Sequence, residues 1–241
     1  MSTPRRFFVE YELNGRTEVF LEGEEFTHAK TVLRLEEGAE IVLLDGSGKE
    51  FSAIVAKIEK HRLLAHITGA KVSDKEPETE ICLLCGVLKG DKTELVVQKA
   101  TELGVTEIFV FSSEYCSAYM NENKLERLNK VAREAAKQCL RACAPKVKYF
   151  DNLNGALSCA KNYVNKLFAC EFLSGGNGMP NVLNGSAAVV VGSEGGFSDR
   201  EFELAKSLGF IGVSLGKRIL RAETAAISMC TLAAYALGEL E

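Results

Sequence analysis

Two different patterns of apolar and polar positions divide the chain near residue 75. Before that point, five short segments alternate or run apolar, and turn residues such as Asn14-Gly15 separate them. The predicted strands are 6–9, 17–21, 40–44, 51–58 and 63–68, with one helical stretch over 24–33. Five strands and one helix in a segment of about 70 residues predict a small β-barrel.

From Ile81 onward, apolar strands alternate with longer helical patterns. This alternation predicts a parallel α/β sheet. The predicted strands are 81–88, 108–111, 167–172, 187–191 and 213–215; the predicted helices are 91–103, 121–141, one opening at Ser198 and one over 222–237. The polar, proline-bearing segment 73–80 is a predicted linker, which gives two domains, 1–72 and 81–241.

The amino-acid composition indicates the class of protein but does not indicate what the protein binds. Apolar residues are 46% and charged residues 26% of the 241 residues, which is typical of a globular chain. The net charge of −4 argues mildly against a basic nucleic-acid binder. The chain has no apolar run long enough for a transmembrane helix or a signal peptide, so we expect a cytoplasmic protein with reduced cysteines. Cys82 and Cys85 lie in an apolar strand pattern, which predicts buried thiols on opposite faces and no metal site.

The predicted helix 121–141 carries the strongest local charge. Between Lys124 and Lys148 the chain has eight basic and two acidic residues, a local charge of +6. An apolar stripe at helical spacing predicts that this helix packs on one side. The basic side is either a solvated face or a phosphate-binding surface, in which case Gln138 and Arg141 are candidate RNA contacts.

Two loops at the ends of predicted strands are candidate ligand sites. The first is Gly192-Ser-Glu-Gly-Gly196, where glycines allow a sharp turn and a close approach to a ligand. The loop matches neither the dinucleotide-binding motif nor the P-loop motif. Taken alone, it is as typical of a structural turn as of a ligand site. The second, 215–225, has three basic residues and leads into a helix of small residues, which suits a tight core or a subunit interface.

These segments together resemble the SPOUT class of methyltransferases, and in particular the ribosomal RNA small subunit methyltransferase E family. That family methylates N3 of one uridine in 16S ribosomal RNA. The segments that carry the resemblance span nearly the whole chain: 4–8, His28 with 32–34, 44–46, 86–92, 98–104, 134–141 with Pro145, 192–198 and 215–225. The chain departs from the family in having Ser193 where proline is usual, and in having no tryptophan.

The resemblance implies a fold, a cofactor and a partner. It implies an N-terminal PUA-like barrel that binds RNA, a C-terminal SPOUT α/β domain with a trefoil knot at about 167–225, and a homodimer. The cofactor is S-adenosylmethionine, held by three loops. The implied cofactor-binding residues are Cys170, Glu171, Val191, Gly192, Ser193, Gly195, Gly196, Leu215, Gly216, Arg218, Ile219, Leu220, Thr224 and Ala225.

Given that resemblance, the chemistry of uracil N3 indicates which residues are candidates for catalysis. N3 carries a proton, so Glu194 is the candidate base and Arg221 the candidate anion stabiliser or phosphate clamp. Glu194 is equally a carboxylate that structures its own loop. The candidate RNA-binding residues are Arg5, Arg6, His28, Arg34, Lys89, Lys92, Gln138 and Arg141. Two alternatives stay open: a related methyltransferase acting on a ribose 2′-hydroxyl or a tRNA base, and a non-catalytic RNA-binding assembly protein.

Overall fold

The computed structural model describes residues 4–170 and 178–240. The chain folds into two compact units. The first contains the residues up to Glu76 together with 136–144, and the second contains 77–135 and the residues from Pro145 onward. The change of unit after Glu76 falls inside the segment predicted as a linker. The sequence pattern does not indicate that 136–144 belongs to the first unit.

The first unit is built on a five-stranded mixed sheet in the order β1-β3-β4-β5-β2. β1 pairs with β3 in parallel, and the other pairs are antiparallel. The strands are β1 (Arg5–Phe8), β2 (Glu18–Leu21), β3 (Glu40–Leu44), β4 (Lys49–Ile58) and β5 (Leu63–Val72). Helix α1 (Gly23–Thr27) continues into one π-helical turn (His28–Val32) between β2 and β3.

Segment 136–144 is attached to this unit by apolar contacts and by ion pairs. Ala136 and Ala142 pack with Phe8 and Leu44 in one small buried cluster. Lys137 Nζ lies 3.2 Å from Glu25 Oε1. The Arg141 guanidinium lies 3.1 Å from Glu76 Oε2, and its side chain is 4% exposed. These buried charges are paired, as buried charges must be.

The second unit has a six-stranded parallel sheet in the order β11-β9-β10-β6-β7-β8. The strands are β6 (Ile81–Gly86), β7 (Glu107–Phe111), β8 (Lys146–Phe150), β9 (Asn165–Ala169), β10 (Ala187–Val191) and β11 (Ile211–Val213). The helices are α2 (Lys92–Glu102), α3 (Glu122–Gln138), α4 (Leu153–Cys159), α5 (Asp199–Ser207) and α6 (Ala222–Ala236). The predicted parallel alternation of strands and helices is therefore confirmed.

Apolar layers cover both faces of this sheet. One core contains residues of α2 and α6, and the other contains residues of α4 and α5. Cys85 belongs to the first core and Cys82 to the second, and both thiols are buried. Burial raises the pKa of the Cys85 thiol to about 12, so it stays protonated. The predicted opposite orientation of these two cysteines is confirmed.

Several parts of the predicted pattern differ from the structure. The strand predicted over 167–172 is Asn165–Ala169, and residues 171–172 lie outside the described residues. The strand β8 and the short helix α4 were not predicted, because five residues of strand pattern give a weak signal. β11 begins at Ile211, two residues before the predicted start. The basic helix ends at Gln138 instead of Arg141, since Leu140 adopts a left-handed conformation with φ of 68°. The Arg141 N–H then donates to the Ala136 carbonyl, which closes the helix end.

The last residue of β6 determines how closely the loop after β10 can approach the sheet. A Cβ on Gly86 would clash with the Ser193 backbone nitrogen and lie 2.9 Å from the Gly192 carbonyl carbon. Both neighbours are backbone atoms, which cannot rotate away as a side chain can. Glycine at position 86 is therefore required for the observed loop position.

We predict that Gly86→Ala lowers the free energy of unfolding by about 2 kcal/mol, because the added methyl forces backbone shifts. Gly69→Ala is the matched control, since Gly69 also lies in a strand and has no atom within 4 Å of the added Cβ. Urea denaturation of both variants measures the effect. Equal stability of the two variants would contradict the proposed close approach.

A second prediction concerns the buried carboxylate of the first unit. Glu50 lies 3.0 Å from Arg6 and 3.4 Å from Lys71, and its side chain is 8% exposed. Burial raises the pKa of Glu50. The hydrogen bond and charge of Arg6 and the charge of Lys71 lower the pKa by more than burial raises it, so the pKa lies below its usual 4.5. The ionised form therefore stabilises the fold above pH 4.5, and this contribution disappears as the pH falls through the lowered pKa.

Accordingly, Glu50→Gln is expected to lower stability at pH 7 by about 2 kcal/mol and to weaken its dependence on pH below 4.5. Urea denaturation at pH 7 and pH 4 is the measurement. Glu36→Gln, at an exposed position of the same unit, is the control. An unchanged acid dependence in Glu50→Gln would refute the role of this ion pair.

Candidate functional site

A pocket of about 580 Å³ opens at the carboxyl ends of three neighbouring strands, β9, β10 and β11. Parallel strands end at the same edge of a sheet, so the loops that follow them converge there. A pocket of this size is in the range of small-molecule and cofactor sites, about 300–1,000 Å³. The three lining loops are those predicted to hold a ligand.

Most of the predicted cofactor-binding residues lie in the wall of this pocket. Those that line it are Cys170, Val191, Gly192, Ser193, Gly196, Leu215, Gly216, Arg218, Ile219, Leu220 and Ala225. Gly195 and Thr224 do not line it, and Glu171 is outside the described residues. Glu194, Arg221 and Lys92 are also in the wall, which brings the candidate catalytic residues to the same place.

The glycine-rich loop after β10 is a tight turn that only small residues permit. The Gly196 N–H donates to the Ser193 carbonyl at 3.0 Å, and Gly196 has φ of 70°. A Cβ on Gly195 would lie 2.5 Å from the Tyr115 carbonyl oxygen. Gly195 is therefore needed for packing against the loop after β7, which explains its place outside the pocket wall.

Helix α5 begins directly after this turn. The Ser198 hydroxyl accepts from the Glu201 N–H at 3.3 Å, and the Glu201 carboxylate accepts from the Ser198 N–H at 2.9 Å. This reciprocal pair is a capping box, and the helix opens at Ser198 as predicted. It fixes the direction in which the chain leaves the pocket.

Ser193 has a specific contact at the position where the resembled family usually has proline. Its buried hydroxyl lies 3.0 Å from the hydroxyl of Ser113, which follows β7. A side-chain hydrogen bond thus attaches the loop to the segment after β7, two strands away in the sheet. The loop is restrained by this bond in the absence of a proline ring.

Aromatic side chains form one wall of the pocket, and the sequence pattern did not single them out. Phe168 and Phe197 have ring centroids 4.2 Å apart, and Phe168 and Phe202 have centroids 5.8 Å apart. All three line the pocket. The only signal in the sequence was their position at a strand end or beside the glycine loop, which does not distinguish a pocket wall from the core.

Glu194 is held in place by the segment that joins β6 to α2. Its Oε1 accepts from the Lys89 backbone N–H at 3.1 Å and lies 3.5 Å from Lys92 Nζ. Burial raises the pKa of Glu194. These hydrogen bonds and the charge of Lys92 lower the pKa by more than burial raises it, so the pKa lies below its usual value. Glu194 is therefore an ionised hydrogen-bond acceptor at neutral pH, and its loop-structuring contacts are present.

Basic residues from the loop after β11 also line the pocket. Lys217, Arg218 and Arg221 all contribute to the wall. Arg221 is exposed and precedes the first residue of α6, and its carbonyl accepts from the Ala225 N–H at 2.8 Å. The backbone of Arg221 is thus fixed by the helix at the pocket wall.

The predicted RNA-binding residues of the first unit differ in exposure. Arg5 and Arg34 are exposed, and His28 is half-buried at the start of the π-helical turn. Arg6 is not part of the accessible surface: its side chain is 7% exposed, and it donates to Glu50 and to the Leu140 carbonyl. Arg141 is buried against Glu76 in the same unit.

The remaining candidates for RNA contact are exposed or line the pocket. Gln138 is exposed at the end of α3, and Lys89 is exposed beside Glu194. On the basic helix itself, Arg127, Lys130 and Arg133 are all exposed, and Arg127 pairs with Glu94 at 2.8 Å. Part of the basic charge of this segment is used in ion pairs. The summed charge of the segment therefore overstates the charge that it presents at the surface.

Metal-binding clusters and membrane-spanning helices are both absent from the described part of the chain. Within residues 4–170 and 178–240, no cluster of three His, Cys, Asp or Glu side chains is arranged to hold a metal ion. No helix in these ranges is both long and apolar enough to cross a membrane.

Family models match both units of the chain. A model described as an RNA methyltransferase domain matches residues 75–234, and one described as an RNA methyltransferase PUA domain matches 21–68. The predicted fold class, a PUA-like domain followed by a parallel α/β methyltransferase domain, is confirmed. The knot over about 167–225 stays a prediction.

Individual relatives match over most of their length. The chain is 32% identical to the ribosomal RNA small subunit methyltransferase E of Rickettsia conorii, covering 92% of both chains, and 35% identical to that of Mesomycoplasma hyopneumoniae over 178 residues, covering 70% of this chain and 78% of the relative. A crystal structure of this enzyme from Neisseria gonorrhoeae, bound to S-adenosylmethionine, superposes with a TM-score of 0.89 at 30% identity, covering 99% of this chain and 100% of the other. The chain therefore belongs to the ribosomal RNA small subunit methyltransferase E family.

Proposed function

We propose that this protein transfers a methyl group from S-adenosylmethionine to N3 of a specific uridine in 16S ribosomal RNA. The observation that carries the proposal is the pocket at the ends of β9, β10 and β11, with Lys92, Glu194 and Arg221 in its wall. The pocket occurs in a chain that matches rRNA methyltransferases over nearly their whole length. The uracil N3 target is the one implied by the family resemblance.

The residues present fit the cofactor. Gly216 has φ of 102° and open space where a Cβ would project, so the loop after β11 presents backbone groups at the pocket. The aromatic wall suits an apolar, stacking moiety, and the polar backbone of 191–196 and 215–220 suits hydrogen-bonding groups. When bound there, S-adenosylmethionine supplies an electrophilic methyl group on a sulfonium centre.

The chain's own residues must make uracil N3 nucleophilic and hold it in line. N3 carries a proton, so attack requires a proton acceptor or cations that stabilise the anion forming on the base. Glu194 is an ionised acceptor in the wall, and Arg221 is a cation that also lines the pocket. A base stacked within a helix is unreachable, so we expect the target uridine to be unstacked and inserted.

The resemblance also implies a homodimer and a cellular setting. Exposed apolar side chains near the pocket and on α6 support the homodimer; these are Ile219, Leu232 and Tyr235. Because the proposed substrate is ribosomal RNA, we infer that the protein acts in the cytoplasm.

Methyl transfer from labelled S-adenosylmethionine to small-subunit RNA tests the assigned roles. We expect Glu194→Gln and Arg221→Ala each to lower the single-turnover rate by about 100-fold. Mapping the methylated nucleotide separates N3 of uridine from a ribose or tRNA target. Calorimetry with the cofactor separates the enzyme from a non-catalytic RNA-binding protein, which would bind none.

Glu203→Gln and Arg200→Ala are the matched controls, because both residues lie on α5 and neither lines the pocket. They are expected to keep the wild-type rate. Full activity in Glu194→Gln and Arg221→Ala would remove the catalytic roles assigned to these two residues.

The salt dependence of RNA binding tests the basic helix. We predict that the double reversal Lys130→Glu and Arg133→Glu weakens RNA binding and flattens its dependence on salt, by about one unit of slope for each phosphate that the variant no longer neutralises. The control is the reversal of Lys161 and Lys206, which changes the net charge equally at exposed positions elsewhere in the same unit. The same slope in wild type and both variants would favour the solvated-face interpretation of α3.

A further inference from the structure

Three charged side chains from three different elements meet at one wall of the pocket. Lys92, the first residue of α2, lies with its Nζ 3.5 Å from Glu194 Oε1 and 3.4 Å from Glu223 Oε2. Glu194 comes from the loop after β10, and Glu223 from the first turn of α6. We call these three residues the ammonium cluster. Lys92 and Glu194 line the pocket, whereas Glu223 does not.

Glu223 is an unusual carboxylate because it is buried without a hydrogen bond to one of its oxygens. Its side chain is 12% exposed, and within the described part of the chain Oε2 has no hydrogen-bond partner. Burying such a group costs free energy unless a charge compensates it. The compensating charge is the Lys92 ammonium, which is close enough for attraction although the geometry is not that of a hydrogen bond. Glu223 therefore holds the ammonium at the pocket wall.

The ammonium retains donor capacity toward the pocket. A lysine ammonium has three N–H donors. The contacts with described residues account for one hydrogen bond, to Glu194, and for the charge attraction of Glu223. The Lys92 side chain is 32% exposed and lines the pocket. A polar group of a bound molecule can thus take a further N–H of Lys92.

Lys92 and Glu194 present a donor and an acceptor side by side. The edge of uracil has the complementary order, since a carbonyl oxygen that accepts lies next to the N3–H that donates. Cytosine has the reverse order, with an accepting N3 beside a donating amino group. The pair therefore matches uracil and opposes cytosine, which would leave a donor facing a donor.

We propose that Lys92 is a catalytic residue that donates to the uracil carbonyl oxygen beside N3 while Glu194 accepts the N3 proton, and that Glu223 positions Lys92 for this contact. This inference rests on the proposed function. It assigns the stabilisation of the uracil anion to Lys92, a residue otherwise expected only to position RNA. Arg221 then remains a phosphate clamp.

Proton transfer precedes the transfer of the methyl group. The N3–H bond breaks and its proton goes to a Glu194 carboxylate oxygen, leaving the electron pair on N3 and, by delocalisation, on the carbonyl oxygen bonded to Lys92. The N3 pair then forms the bond to the methyl carbon as the carbon–sulfur bond breaks and its pair stays on sulfur, which becomes a neutral thioether. Glu194 finally releases the proton to solvent, and Lys92 stays protonated throughout.

A weak base makes a cation at the carbonyl oxygen necessary. The Lys89 N–H and the Lys92 charge hold the pKa of Glu194 below its usual value despite its burial, which raises the pKa. Such a carboxylate takes the proton of neutral uracil only with difficulty. A donor that strengthens its bond as the oxygen becomes negative lowers the barrier to this transfer, as in an oxyanion hole.

The test compares uridine with a more acidic analogue. Small-subunit RNA is transcribed with UTP or with 5-fluorouridine triphosphate, whose electron-withdrawing fluorine acidifies N3. Single-turnover methyl transfer is measured for wild type, Lys92→Met, Lys92→Arg and Glu223→Gln. The matched controls are Lys99→Met and Glu102→Gln, because these residues form a comparable ion pair on the same helix away from the pocket. Calorimetry with S-adenosylmethionine checks that each variant still binds the cofactor.

We expect Lys92→Met to lower the rate on uridine RNA by about 100-fold. On 5-fluorouridine RNA the decrease is expected to shrink by about tenfold, since the substrate itself supplies the acidity. Glu223→Gln should show the same substrate-dependent rescue with a smaller decrease, without a change in cofactor affinity. Lys92→Arg keeps the charge and should retain more activity than Lys92→Met.

Equal decreases on the two RNAs in Lys92→Met and Lys92→Arg would overturn the proposal, because a merely structural lysine does not sense the acidity of the substrate. Wild-type behaviour of Lys92→Met would overturn it as well. If wild type binds S-adenosylmethionine but methylates no uridine N3 in either RNA, the proposed function fails, and the inference fails with it.

Discussion

The parallel pairing of β10 with β6 on one side and β9 on the other is the constraint on which the site depends. All five residues of β10 are buried, so the strand is held by apolar contacts on both faces. This fixes the point at which the glycine-rich loop begins. The neighbouring loops after β9 and β11 then begin at the same edge, because every strand in this sheet runs in the same direction.

The net charge of this protein describes neither its surface nor its pocket, because individual charged residues are paired with near neighbours in space. In the first unit, Arg6, Lys137 and Arg141 pair with Glu50, Glu25 and Glu76. In the pocket, by contrast, one ammonium stands between two carboxylates and still reaches the cavity. Basic residues of the same type thus serve structure in one place and chemistry in another. What separates them is whether solvent or a ligand can reach the charged group.

Local signals predicted several features of the site correctly. The Ser198 and Glu201 capping box formed, because its geometry depends only on residues three apart. The aromatic wall and the role of Glu223 were not predicted. Phe202 and Glu223 lie on helices, where the sequence pattern is compatible with either a core or a surface position.

The sequence by itself predicted the alternation of strands and helices after Ile81 and the loops after β10 and β11, because periodicity and turn chemistry are properties of neighbouring residues; it missed β8 and α4 and the place of 136–144 in the first unit. Tertiary structure alone decided which charges meet. Lys92, Glu194 and Glu223 are separated by 102 and 29 positions along the chain, and only the packing of α2, β10 and α6 brings the two carboxylates within 3.5 Å of the Lys92 ammonium. It also decided that Arg6 and Arg141 are buried, since ion pairing over a long sequence separation leaves no periodic trace.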